Sequence, residues 1–186
     1  ISLLVLHAPS RQHQRVARGA ARRPWVFKTP HYLMGALGGL LAVFPDVKLV
    51  MTHRDVGQVL PSYCSMCASL SVNSSATYRK EEQGAHWTRR FKDGLARLEA
   101  IRASLPPGQI IDVRYDETVS DPLGTGGRIM EALGKGFCDE DRAALAASIA
   151  ANAREARPRH KHSAADFGLT PGGIATDFAD YHGRYL

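Results

Sequence analysis

Arg54 and Ser62 lie eight positions apart in the run His53-Arg54-Asp55-Val56-Gly57-Gln58-Val59-Leu60-Pro61-Ser62. A β-branched-rich stretch, Val47-Lys48-Leu49-Val50-Met51-Thr52, reads as the strand before them. Asp55 is a good N-cap, and with Gln58 at the third helical position it resembles a capping box. Arg54 therefore falls at a strand-to-helix corner. Ser62 follows Asp55 by seven residues, close to two helical turns, and faces the same side as the helix start. A guanidinium and a hydroxyl converging there make a phosphate site, bound by charge-assisted hydrogen bonds and favoured by the helix dipole. The plain alternative is a surface arginine paired with Asp55 and a serine inside a helix.

A second cation, Lys28, closes the short apolar run Trp25-Val26-Phe27-Lys28, three residues before His31. An imidazole can take a proton near neutral pH, which makes His31 a candidate base. The competing readings are a snorkelling surface lysine and a histidine that starts a helix. Two other patterns carry less. Cys64-x-x-Cys67 with His160 and His162 offers zinc-ligand types, but the cysteine pair lies inside a helix and the histidines are remote in sequence, so no metal is expected. Asp166-Phe167-Gly168 has no kinase catalytic loop to accompany it and reads as a turn.

The elements around these residues alternate. Residues 9 to 24 are arginine-rich and broken by Pro9, Gly19 and Pro24, which predicts an irregular lead-in. Trp25 to Lys28 predicts a strand stopped by Pro30. Leu33 to Phe44 predicts a helix weakened by Gly35, Gly38 and Gly39, followed by a Pro45-Asp46 turn and the strand to Thr52. The helix from Asp55 should reach about Leu70, with a kink or restart at Pro61. Residues 71 to 77 are Ser/Asn-rich and loop-like. Gln83 to Leu105 predicts a long amphipathic helix with Trp87, Phe91, Leu95, Leu98 and Ile101 on one stripe. Gln109 to Tyr115 predicts a third strand. Asp121-Pro122 and Thr170-Pro171 pair a cap with proline at the first helical position. The first opens a helix ending near Gly134, and another runs from Asp139 to about Ala156. The last helix carries Ile174, Phe178 and Tyr181 on one face. Such alternation implies an α/β fold: a parallel sheet with helices on both faces, in three layers, and ligands beyond the carboxyl ends of the strands. Lys28 and Arg54 both fall at such ends.

Bulk properties fit a globular protein. The chain has 186 residues, 44% hydrophobic and 23% charged, enough for one domain with a real core. Ser2 to Leu6 is too short for a membrane span or a signal-peptide core. Three cysteines are too few for a disulfide framework, which suits a reducing cytoplasm. A net charge of +6, concentrated in Arg11 to Arg23 and Arg154 to Lys161, favours anionic partners or is a solvated surface with scattered arginine.

Three segments taken in order are specific where each alone is modest: Trp25-Val26-Phe27-Lys28-Thr29-Pro30-His31; Phe44-Pro45-Asp46 with a strand, His53-Arg54-Asp55 and Ser62; and Arg114-Tyr115-Asp116-Glu117 leading to Asp121-Pro122. Together with Asp166-Phe167-Gly168-Leu169 before a last helix, the set resembles the bacterial sulfotransferases that use 3′-phosphoadenosine-5′-phosphosulfate (PAPS), whose fold is related to P-loop kinases. The resemblance covers roughly Trp25 to Leu186. It implies transfer of a sulfuryl group from PAPS to a hydroxyl or amine of a small-molecule acceptor, releasing adenosine 3′,5′-bisphosphate, with no metal, membrane or nucleic-acid partner. It implies that Arg54 and Ser62 hold the 3′-phosphate and that Tyr115 contacts the adenine, where a flat ring can pack on the base. Sulfuryl transfer should follow the loose, in-line pattern of phosphoryl transfer, so Lys28 would neutralise the leaving oxygen and His31 would serve as base. The Lys28–His31 spacing of three departs from the two found in the cytosolic branch. In the tyrosylprotein branch the base looks like a glutamate near the phosphosulfate loop. That Gly/Ser/Thr-rich loop is not found in this sequence: the glycine-rich residues 124–128 fit a helix, and no Walker pattern occurs. The expectation is a single sulfotransferase domain over 1–186, incomplete at its amino terminus and by itself weakly active. The rival readings are an inert nucleotide-binding remnant and a basic nucleic-acid-binding domain.

Overall fold

The computed structural model describes residues 2–7, 25–29, 35–71, 79–152 and 163–186. His31, the basic stretches 9–24 and 154–161, the 72–77 loop, His160 and His162 lie outside the described residues. The chain divides into two compact units, Ile1–His53 with Arg90–Val113, and Arg54–Arg89 with Arg114–Leu186.

The first unit is built on a four-stranded sheet of order β2-β1-β3-β4, from β1 (Ser2–His7), β2 (Trp25–Thr29), β3 (Lys48–His53) and β4 (Ile110–Arg114). β1 was not expected from the sequence, because so short an apolar run as Leu3 to Leu6 has no periodicity that separates strand from buried helix. It runs antiparallel to both neighbours, pairing Val5 with Phe27 on one side and with Leu49 on the other. β2 and β3, strands that the sequence predicts, consequently point the same way. Contacts between β3 and β4 also advance together: Lys48 Nζ donates to the Gly108 carbonyl, Leu49 N to that of Gln109, and His53 meets Asp112. The sheet is thus parallel apart from the inserted β1.

Consecutive residues of a strand face opposite sides. Leu49, Val50 and Met51 are each at most 2% exposed, so β3 is covered on both faces, as its unbroken apolar run requires. The α1 helix (Leu37–Val43) buries Leu37. The α3 helix (Lys80–Arg102) buries Phe91, Leu95 and Leu98, the predicted stripe at helical spacing. Gln109 is buried, and its side-chain amide donates to the carbonyls of Pro45 (2.7 Å) and Val47 (3.0 Å), which satisfies the buried Val47 acceptor just before β3 begins.

The second unit is helical. Of the kink or restart expected at Pro61, no restart occurs: the α2 helix (Val56–Ser71) continues through it and buries Val56, Leu60, Pro61, Cys64 and Ala68. A short α4 (Tyr115–Ser120) replaces the predicted last strand residue: Tyr115 opens a helix rather than ending β4, favoured by Asp116 and Glu117 in its first turn. Asp121 caps α5 (Pro122–Ala132) through Gly124 N, and α6 spans Asp139–Ala151. The predicted last helix is two, α7 (Pro171–Asp177), capped by Thr170, and α8 (Ala179–Tyr185), parted at Phe178. Ile174, Phe178 and Tyr181 are buried as predicted.

Asp166-Phe167-Gly168 is a 3-10 turn (Ala164–Phe167) closed by Gly168 at φ +67°. It approaches α3 so closely that a Cβ on Gly84 would strike the Phe167 carbonyl, and one on Gly168 would lie 2.5 Å from the Glu81 carbonyl oxygen. No helix among the described residues is long and apolar enough to cross a membrane.

Candidate functional site

β3 ends on His53, which is 1% exposed, and Arg54 and Asp55 lead the chain into α2. The His53 ring lies in the first unit, its Nε2 2.8 Å from Asp112 Oδ1. Asp112 also accepts a forked pair of bonds from Arg102, both 2.7 Å. Burial alone would raise the Asp112 carboxyl, but hydrogen bonds and charge from His53 and Arg102 outweigh it and hold the group well below the usual carboxylate range.

At the start of α2, Asp55 Oδ1 accepts from Gly57 N (2.8 Å) and the Asp55 carbonyl accepts from Gln58 N and Val59 N (both 3.1 Å). Val56 N donates to His182 Nε2 on α8 at 3.2 Å. The same His182 Nε2 lies 3.4 Å from Asp55 Oδ1. The first amides of α2 are thus already taken within the protein, and any anion beside this corner has to rely on side-chain donors.

Asp55 caps as predicted, but the capping box does not form, because the Gln58 side chain turns to Arg54 instead. Its Oε1 accepts from Arg54 Nη2 at 2.9 Å and from Nε at 3.3 Å. The guanidinium also lies over the Tyr115 ring, 4.1 Å from its centroid. Tyr115 is positioned through α4, which is tied to α5: Thr125 Oγ1, buried, donates to the Glu117 carbonyl (3.3 Å), and Arg128 Nη2 donates to Glu117 Oε2 (2.8 Å). Two of the predicted residues, Arg54 and Tyr115, are therefore brought together.

Among the described residues Arg54 has no carboxylate partner, so the plain reading of an arginine neutralised by Asp55 does not hold. Its Nη1 and the second hydrogen of Nη2 make no hydrogen bond among those residues. Ser62 is exposed on α2, and no hydrogen bond joins it to Arg54. Lys28 is exposed on β2 in the first unit.

Sequence reasoning placed Arg54 and Tyr115 and missed the contacts of Gln58 with Arg54 and of His182 with the start of α2. The i,i+4 spacing of Arg54 and Gln58 was a usable signal; His182, 126 residues beyond Val56, left no local one. Cys64 is buried, and that burial, with the neighbouring Cys67, pushes its thiol up to about 12. No three metal-ligating side chains converge among the described residues.

The sulfotransferase family model matches residues 2–139, beginning ahead of Trp25 where the sequence resemblance starts. No curated protein matches the chain. The solved sulfotransferase STF9 from Mycobacterium avium superposes with a TM-score of 0.78 at 22% identity, over 93% of this chain and 43% of that one. STF1 from Mycobacterium tuberculosis H37Rv superposes with a TM-score of 0.68 at 32% identity, over 82% of this chain and 38% of that one. The chain thus spans less than half the length of either. The expected α/β sulfotransferase fold is the one observed, and by the family match across most of its length this chain belongs to the sulfotransferase family.

Proposed function

We propose that the chain carries the nucleotide-binding core for transfer of a sulfuryl group from PAPS to a hydroxyl or amine of a small acceptor. The observation that carries this reading is Arg54: a cation at a strand-to-helix corner, oriented on two sides yet neutralised by no carboxylate among the described residues. Its open N–H groups suit a phosphate, and the hydroxyl of Ser62 on the same helix is the proposed second donor to the 3′-phosphate. Tyr115 is proposed to border the adenine.

In the proposed step the acceptor oxygen or nitrogen attacks sulfur while the sulfur–oxygen bond to the 5′-phosphate breaks. The bisphosphate leaves with the bonding electron pair, and the acceptor proton passes to a base. Lys28 is proposed to offset the charge growing on the leaving oxygen, and His31 to take the proton. No Gly/Ser/Thr-rich phosphosulfate loop is read in the sequence, and turnover by this chain alone is proposed to be slow.

Calorimetric titration with adenosine 3′,5′-bisphosphate and with adenosine 5′-phosphate tests the reading. The bisphosphate should bind more tightly. Arg54→Ala should weaken it by about 1.5–3 kcal/mol, the range for a hydrogen bond to a charged group, and Ser62→Ala by about 0.5–1.5 kcal/mol. Equal affinity for the two nucleotides would sink it.

A further inference from the structure

An arginine at the end of a strand is a flexible chain with a charge at its tip. Ordering it when an anion arrives opposes binding, so a site gains by fixing the guanidinium beforehand. The usual fixative, a carboxylate, would cancel the charge that the anion needs. Among the described residues both groups holding Arg54 are uncharged: the Gln58 amide oxygen, reached from Nη2 and Nε, and the Tyr115 ring under the guanidinium plane. The nearest carboxylate in sequence, Asp55, is turned away to Gly57 N, with His182 Nε2 3.4 Å from the same oxygen.

We infer that Gln58 is a positioning residue that sets phosphate selectivity, holding Arg54 over Tyr115 in a fixed pose without lowering its charge. Gln58 rests on α2 one turn beyond Arg54 and is itself exposed, so its amide has no packing role that demands this residue. The two bonds it accepts occupy one edge of the guanidinium. They leave Nη1 and the second Nη2 hydrogen, a fork that matches two oxygens of one phosphate. Discrimination follows from that fork: a ligand with a ribose phosphate gains from it, and one lacking the phosphate does not. This rests on the reading of Arg54 as the 3′-phosphate ligand.

Two substitutions separate fixing from charge. Gln58→Met keeps the length of the side chain and removes the acceptor. Gln58→Glu keeps the acceptor and adds a negative charge. Affinity for adenosine 3′,5′-bisphosphate, divided by that for adenosine 5′-phosphate, is the readout, because a general structural effect would lower both affinities and leave the ratio alone. Gln58→Met should reduce the ratio about threefold and Gln58→Glu about fivefold, since a carboxylate now competes for Arg54. Thermal unfolding of both variants should match the unsubstituted protein, as the side chain is exposed. If Arg54→Ala abolishes the ratio while both Gln58 variants retain it, the role of Gln58 is refuted and the phosphate site stands. If the unsubstituted protein shows no preference for the bisphosphate, the site and the inference fail together.

Discussion

At the scale of single residues, the chain treats its charges in two opposite ways. Asp112 takes His53 and Arg102 on Oδ1 and Arg102 on Oδ2, whereas Arg54 is left with donors to spare among the described residues. A saturated charge holds structure together; an unsaturated one is where a ligand has something to gain. The Asp112 cluster should behave accordingly. Its carboxyl is held down in the folded protein relative to an unfolded aspartate near ~3.9. A depressed folded pKa contributes stability that is fully present above the unfolded value, and that contribution declines as the pH falls below about 4. Asp112→Asn, which keeps the shape but not the charge, should therefore cost about 1–3 kcal/mol in urea unfolding at pH 7. The gap to the unsubstituted protein should narrow on going from pH 5 toward pH 3. A gap that stays constant across that range would show that the carboxylate charge contributes nothing.

At the scale of elements, what could be read from the sequence was whatever announced itself locally. Asp55, Asp121 and Thr170 each cap the helix predicted for them, because an oxygen two or three residues before an amide is fixed by chain geometry alone. The stripe Phe91, Leu95, Leu98 was legible for the same reason. β1 was not, since a short apolar run fits strand or helix equally. The break at Phe178 was hidden because an apolar stripe continues through it, and the turn of Gln58 from the helix cap to Arg54 depended on where Tyr115 would lie. The joint between α3 and the 3-10 turn shows how little slack these elements have. Gly84 and Gly168 allow two backbones to touch, and on Gly168 the positive φ adds a conformational demand. Gly84→Ala should destabilise the protein by at least the ~1–3 kcal/mol typical of overpacking, despite alanine's better helix propensity, because the obstructing atom is a carbonyl oxygen that cannot rotate away. A thermal midpoint equal to or above that of the unsubstituted protein would contradict this packing.

For the whole molecule the question is whether anion binding comes from the surplus of positive charge or from one place. A net charge of +6 attracts any nucleotide, and at ~0.1 M salt that attraction is screened beyond a Debye length of about 10 Å. A local site differs in kind, because its hydrogen bonds do not average over the surface. Arg54→Ala and Lys135→Ala each remove one positive charge, and Lys135 is exposed just past the end of α5. If the overall field governed binding, the two should weaken adenosine 3′,5′-bisphosphate alike, with duplex DNA of arbitrary sequence following the same trend. If the corner at Arg54 governs it, Lys135→Ala should stay within about twofold at ~0.15 M salt, while Arg54→Ala loses tenfold or more. The slope of affinity against salt concentration should also flatten for Arg54→Ala, since an ion contact has gone. Titrating both variants at two salt concentrations decides between them, and equal losses would return the basic surface to being the main attraction for anions.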